Sequence, residues 1–141
     1  MAFTLHPQLG ADAHAFGDFP LCRALLMNES RYPWFILVPR RAAVREIYEL
    51  SDADQGLLLK ESSQLSRALM EVFTGDKLNI AALGNVVPQL HVHHIVRYTV
   101  DEAWPSPVWG RFPMKPYATT ERARRIERVC ERLPPEFRRG A

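Results

Sequence analysis

The sequence predicts an α+β fold: an antiparallel sheet of about five strands, one long helix packed on it, and additional helices at the two ends. Three observations predict it. The apolar runs Leu21–Met27 and Trp34–Val38 are joined by a short polar link and read as an antiparallel hairpin. Between Ser51 and Gly75, the side chains of Leu58, Leu65, Leu69, Val72 and Phe73 recur on one helical face. Two more strand candidates follow, Leu78–Leu83 and Pro88–Tyr98, on either side of a Gly84-Asn85 break.

Residues 6–17 read as a helix, with Pro7 near its start and Leu9, Ala13 and Phe16 at helical spacing. Asn28-Glu29-Ser30 has turn chemistry, and Pro39 closes the second strand because its ring removes a ladder donor. Ser51 followed by Asp54 resembles a capping box, and Gly75 stands where a left-handed C′ residue would end the helix. Residues 101–118 contain Trp104, Trp109 and four prolines without periodicity, which reads as an ordered loop. Thr119–Leu133 is a final helix with Ala123, Ile126, Cys130 and Leu133 on one side, stopped by Pro134-Pro135.

A chain of 141 residues suits one domain, taken here as 1–141. Hydrophobic residues at 47% and charged residues at 24% lie in the globular range and argue against disorder, collagen-like repeats and coiled coil. No run of ~18 apolar residues is present to form a spanning helix. The first residues lack a basic and then apolar leader, so no secretory signal is expected and the expected location is the cytoplasm. Cys22 and Cys130 fit no zinc spacing and are expected as reduced thiols. The net charge of +2 hides an uneven split, with residues 111–141 basic and residues 1–110 slightly acidic. An Arg-rich helix face is the commoner source of such a tail, so nucleic acid is not an expected partner.

The distinctive chemistry sits in Pro88-Gln89-Leu90-His91-Val92-His93-His94, where three of the five histidines fall within four residues. Strand side chains alternate, so Gln89, His91 and His93 are expected on one face, successive positions about 6.5–7 Å apart. His94 is expected on the opposite face as a structural residue. Imidazole titrates near neutrality and can act as nucleophile, acid or metal ligand. Zinc would want a third protein ligand. Only distant His6, His14 or an acidic side chain are available, so no metal or other cofactor is expected.

The stretch Gly84-Asn85-Val86-Val87-Pro88-Gln89-Leu90-His91-Val92-His93-His94-Ile95-Val96-Arg97 resembles the histidine triad (HIT) superfamily, with Gln in place of the first triad His. Leu37-Val38-Pro39-Arg40 resembles the end of that family's early hairpin, and the likeness covers roughly residues 20–100. The resemblance implies a HIT-like fold and a nucleotide hydrolase or transferase that cleaves a phosphoanhydride or phosphoramidate through a nucleotidyl-histidine. His91 matches the nucleophile, His93 the third triad His beside the phosphate and leaving group, and Asn85 a phosphate-contacting amide. Gln89 takes the first triad position, where an amide keeps a donor and an acceptor but cannot transfer protons at neutral pH. Asn28 is a candidate ribose or phosphate contact with a competing reading as a turn residue. The resemblance also implies a homodimer. Two other readings stand beside it: a nucleotide-binding module with little turnover, favoured by Gln89, and a metal hydrolase using His91 and His93.

Overall fold

Strand pairing begins one element earlier than periodicity predicts. The computed structural model describes residues 2–140. Only Pro7–Asp12 forms a helix (α1), and Ala13–Asp18 continues as a strand (β1) paired antiparallel with Cys22–Met27 (β2). The expected helix over 6–17 is therefore corrected. Leu9, Ala13 and Phe16 satisfy a helical spacing, but only Leu9 is buried from the helix; a strand with a bulge buries Ala13 and Phe16, and a register shift lies between Ala15 and Gly17. Pairing to β2 supplies the backbone bonds that local propensity leaves open.

β2 pairs with Trp34–Pro39 (β3), and β3 pairs with Val92–Arg97 (β5), Ile36 opposite His93 and Phe35 opposite His94. Lys77–Ala81 (β4) pairs with β5, and the two-residue strand Arg138–Arg139 (β6) pairs with β1. The result is one six-stranded antiparallel sheet in the order β4-β5-β3-β2-β1-β6. β2, β3, β4 and β5 are the four strands expected by position; β1 and β6 bring the sheet to six, against about five expected.

Both sheet faces are covered, which is why the central strands read as continuous apolar runs. On one face Phe35, Leu37, Val92 and Val96 pack against Leu58, Leu65 and Leu69 of the long helix α2 (Asp52–Phe73) and Ile126 and Val129 of α3 (Thr119–Cys130). On the other, Trp34, Ile36, Val38 and Ile95 pack with Leu9, Val87, Ala103 and Val108. Ala123 is exposed, so Val129 takes the place expected for it in the buried stripe of α3.

α2 starts as expected, with Ser51 Oγ accepting from the Asp54 N–H at 3.1 Å. The other half of the capping box is absent, because the Asp54 carboxylate is engaged by Arg41 at 2.7 Å. The C-terminus departs from expectation. Thr74, not Gly75, adopts the left-handed conformation (φ 45°). Gly75 is small for another reason: a Cβ there would lie 2.3 Å from Val96 Cγ1, so it lets the end of α2 close on β5.

Two buried charges tie the layers together. Glu61 of α2, only 1% exposed, accepts from the backbone N–H groups of Leu21 (2.9 Å) and Cys22 (2.8 Å). Arg97 at the end of β5 donates to both oxygens of Asp101 (2.9 and 3.0 Å), to Asn79 and to the Ser106 carbonyl. That network anchors the Trp/Pro segment against the sheet.

Candidate active site

The histidine strand starts later than its sequence pattern. β5 begins at Val92, so Gln89 and His91 belong to the approach segment. His91 and His93 still end side by side, ring centroids 4.9 Å apart and edge to face. Gln89 is not beside them in the way alternation predicts. Its Oε1 accepts from the His6 N–H at 2.8 Å, and its Nε2 donates to the Thr4 carbonyl at 2.9 Å. The Gln89 side chain thus ties down the N-terminal segment. What reaches His91 is the Gln89 main chain, its carbonyl lying 2.7 Å from His91 Nδ1.

That contact decides a proton position. A carbonyl only accepts, so His91 Nδ1 carries the hydrogen, and in the neutral ring it is Nε2 that holds the lone pair. His93 is set the opposite way. The Trp34 indole N–H, a donor that cannot accept, lies 2.9 Å from His93 Nδ1, so in the neutral ring the hydrogen sits on Nε2. Burial, followed by the neighbouring His91 and His94, pushes the His93 pKa down to about 3. Trp109 packs edge-on against His93 at 5.1 Å and against Trp34 at 5.6 Å, closing this side of the ring.

His94 lies on the opposite face, as expected, and is fully buried. Its Nδ1 donates to the Val92 carbonyl at 3.1 Å, and its Nε2 accepts from Ser62 Oγ of α2 at 2.7 Å. Burial holds it neutral, with a pKa lowered to about 4 although the Val92 carbonyl favours the protonated form.

His91 and His93 form one wall of a cleft of about 380 Å³. Leu9, Met27, Val87 and Trp109 supply apolar surface, and Asn85 stands on the rim after Gly84, whose φ of 82° makes the turn. No lysine or arginine lines it among the described residues. No group of three or more His, Cys, Asp or Glu side chains gathers to hold a metal ion among those residues either. Chemically, the cleft offers a nucleophilic nitrogen on His91 next to a neutral N–H donor on His93.

The family model of the HIT domain matches residues 8–100. This chain belongs to the HIT family. It is 46% identical to a histidine triad protein from Bradyrhizobium japonicum, over 95% of this chain and 100% of that one, with a TM-score of 0.93. A histidine triad protein from Marinobacter aquaeolei VT8 is 52% identical over 95% and 100% of the two chains, with a TM-score of 0.90. One from Sinorhizobium meliloti 1021 is 42% identical over 93% and 97%, with a TM-score of 0.91. No curated protein matches the chain.

Within this HIT chain, three of the five residues singled out from sequence, Asn85, His91 and His93, line the same cleft. Gln89 does not line it, and Asn28 is elsewhere, its Oδ1 accepting from the Tyr117 N–H at 2.9 Å. Asn28 therefore holds the entry to α3. Sequence reading missed Trp34 and Trp109. Trp34 sits in an apolar run that reads only as a strand, and Trp109 follows β5 by a dozen residues of aperiodic loop. The unusual Trp content of that loop was the only available signal.

Proposed function

We propose that this HIT protein is a nucleotide hydrolase or transferase that cleaves a phosphoanhydride or phosphoramidate through a nucleotidyl-histidine on His91. One observation carries the reading: two adjacent imidazoles on a cleft wall, held in opposite tautomers by different partners. His91 Nε2 attacks the phosphorus and forms a P–N bond. The bond from phosphorus to the leaving group breaks, and the leaving oxygen or nitrogen departs with the electron pair and takes up a proton from solvent. The Gln89 carbonyl then faces an imidazolium Nδ1–H and strengthens as a charge-assisted acceptor. Water next attacks phosphorus and releases a proton to solvent, the P–N bond breaks, and His91 Nε2 regains its lone pair. His93 Nε2–H and the Asn85 amide meet the phosphate oxygens, while Leu9, Met27 and Val87 suit the flat face of a base.

The same reading includes a cytoplasmic setting and a homodimer. In support of the dimer, β4 is an edge strand, and Ile80 and Leu83 near it are exposed. A hydrolysis screen with adenosine 5′-phosphoramidate and dinucleoside polyphosphates, run beside His91→Ala, tests the activity. Trapping of labelled nucleotide on His91 supports catalysis. Saturable nucleotide binding with no turnover and no trapped label would instead favour the binding-module reading. Turnover abolished by a chelator and restored by zinc would support the metal reading.

A further inference from the structure

We propose that Trp34 is a positioning residue for His93: its indole N–H, bonded to Nδ1, holds His93 in the Nε2–H tautomer and makes it a permanent neutral donor on the cleft wall. This rests on the reading of His93 as a phosphate contact.

An indole N–H donates, never accepts, and does not titrate in the range where proteins fold. Most groups that bond a histidine Nδ1 are carbonyls or carboxylates, and these place the hydrogen on Nδ1. His91 and His94 both follow that pattern, with the carbonyls of Gln89 and Val92. His93 alone of the three meets a donor at Nδ1. A proton added to its Nδ1 would point at another N–H, so imidazolium is opposed by geometry as well as by burial.

Trp34 is itself immobilised. It is 2% exposed in the middle of the sheet, opposite Ile95 in the ladder, and Trp109 closes against both it and His93. A fixed tautomer matters because the cleft has no cationic side chain among its lining residues. Negative charge on a phosphate must then be met by neutral N–H donors, and His93 Nε2–H is one only while Nδ1 stays bare. A neutral His93 also adds no repulsion to the positive charge that His91 carries after attack.

The test has a readout independent of activity. Long-range nitrogen–proton NMR on the ¹⁵N-labelled protein should show His93 protonated on Nε2 and His91 on Nδ1. In Trp34→Phe, which keeps the apolar ring and loses the N–H, His93 should become a mixture of tautomers. Turnover of adenosine 5′-phosphoramidate should fall by roughly tenfold in kcat with KM little changed, the size of one hydrogen bond lost in the transition state. Trp109→Phe, which disturbs the same packing without touching that bond, should leave the tautomer as it is. A wild-type His93 protonated on Nδ1 overturns the proposal, even if Trp34→Phe cannot be folded. So does a His93 that keeps its Nε2–H in a folded Trp34→Phe. Wild-type protein that shows the expected tautomers but hydrolyses no nucleotide would sink the functional reading and leave the assignment of Trp34 standing.

Discussion

His91 concentrates its reactivity on one nitrogen, because the Gln89 carbonyl occupies the other. His91→Ala should lower turnover by at least ~10³-fold, as expected for a residue that acts as a unit with its partners. Its melting temperature should stay close to wild type, which thermal unfolding of the purified variant would check. Gln89 calls for a different expectation. Its side chain bonds His6 and Thr4, and its contact with His91 comes from the backbone, which any residue supplies. Gln89→Leu should therefore leave kcat within about tenfold while loosening residues 4–6, at a stability cost of roughly 1 kcal/mol. Hydrogen exchange of the His6 amide, protected in wild type and fast in the variant, is the measurement. A kcat loss as large as that of His91→Ala would contradict this placement.

The contact of α2 with β5 shows why small residues near helix ends need a structure to interpret. Gly75→Ala should destabilise by roughly 1–3 kcal/mol, because its methyl would meet Val96 Cγ1 in a packed layer. Thr74→Gly should be neutral or stabilising by up to ~1 kcal/mol, since glycine relieves the left-handed strain at φ 45°. Urea unfolding of the two variants decides it, and the opposite order would mean the helix ends at Gly75. The two buried histidines of β5, His94 facing α2 and His93 facing the cleft, give the strand a pH response. His93 and His94 are neutral in the folded state, with pKa values lowered to about 3 and about 4, whereas an unfolded histidine titrates near 6.5. Below pH ~6.5 the unfolded chain takes up protons that the folded chain refuses. Stability is therefore full above that value and falls as pH drops, by up to about 1.4 kcal/mol per unit for each histidine until the folded pKa values are reached. Urea midpoints between pH 7 and pH 5 should fall steadily, and a flat profile over that window would show that the histidines are not held neutral.

At the scale of the whole molecule, the Trp/Pro segment is a structural wall of the site, although the family match ends at residue 100. Removing residues 101–140 would strip Asp101 and the Ser106 carbonyl from Arg97, which is 1% exposed, and take Trp109 from His93. A 1–100 fragment should lack the cooperative unfolding of the full chain, which calorimetry would read, because a buried cation deprived of its counter-charge costs several kcal/mol. Cooperative unfolding of that fragment at the full chain's temperature would refute this. The α+β class, the central hairpin, the span of α2 and the pair His91–His93 were legible in the sequence. Those features rest on apolar periodicity and on chemistry carried by neighbouring residues, and both are local. Contacts made only in the folded chain make residues 13–18 a strand, turn Gln89 to the N-terminus, and select which nitrogen of each neutral histidine carries the proton. In each case the deciding partner is remote in sequence or is a backbone atom: β2 for the strand, Thr4 and His6 for Gln89, a carbonyl for His91 and an indole from β3 for His93. A hydrogen bond takes its direction from the group it meets, and that group is known only once the chain has folded back on itself.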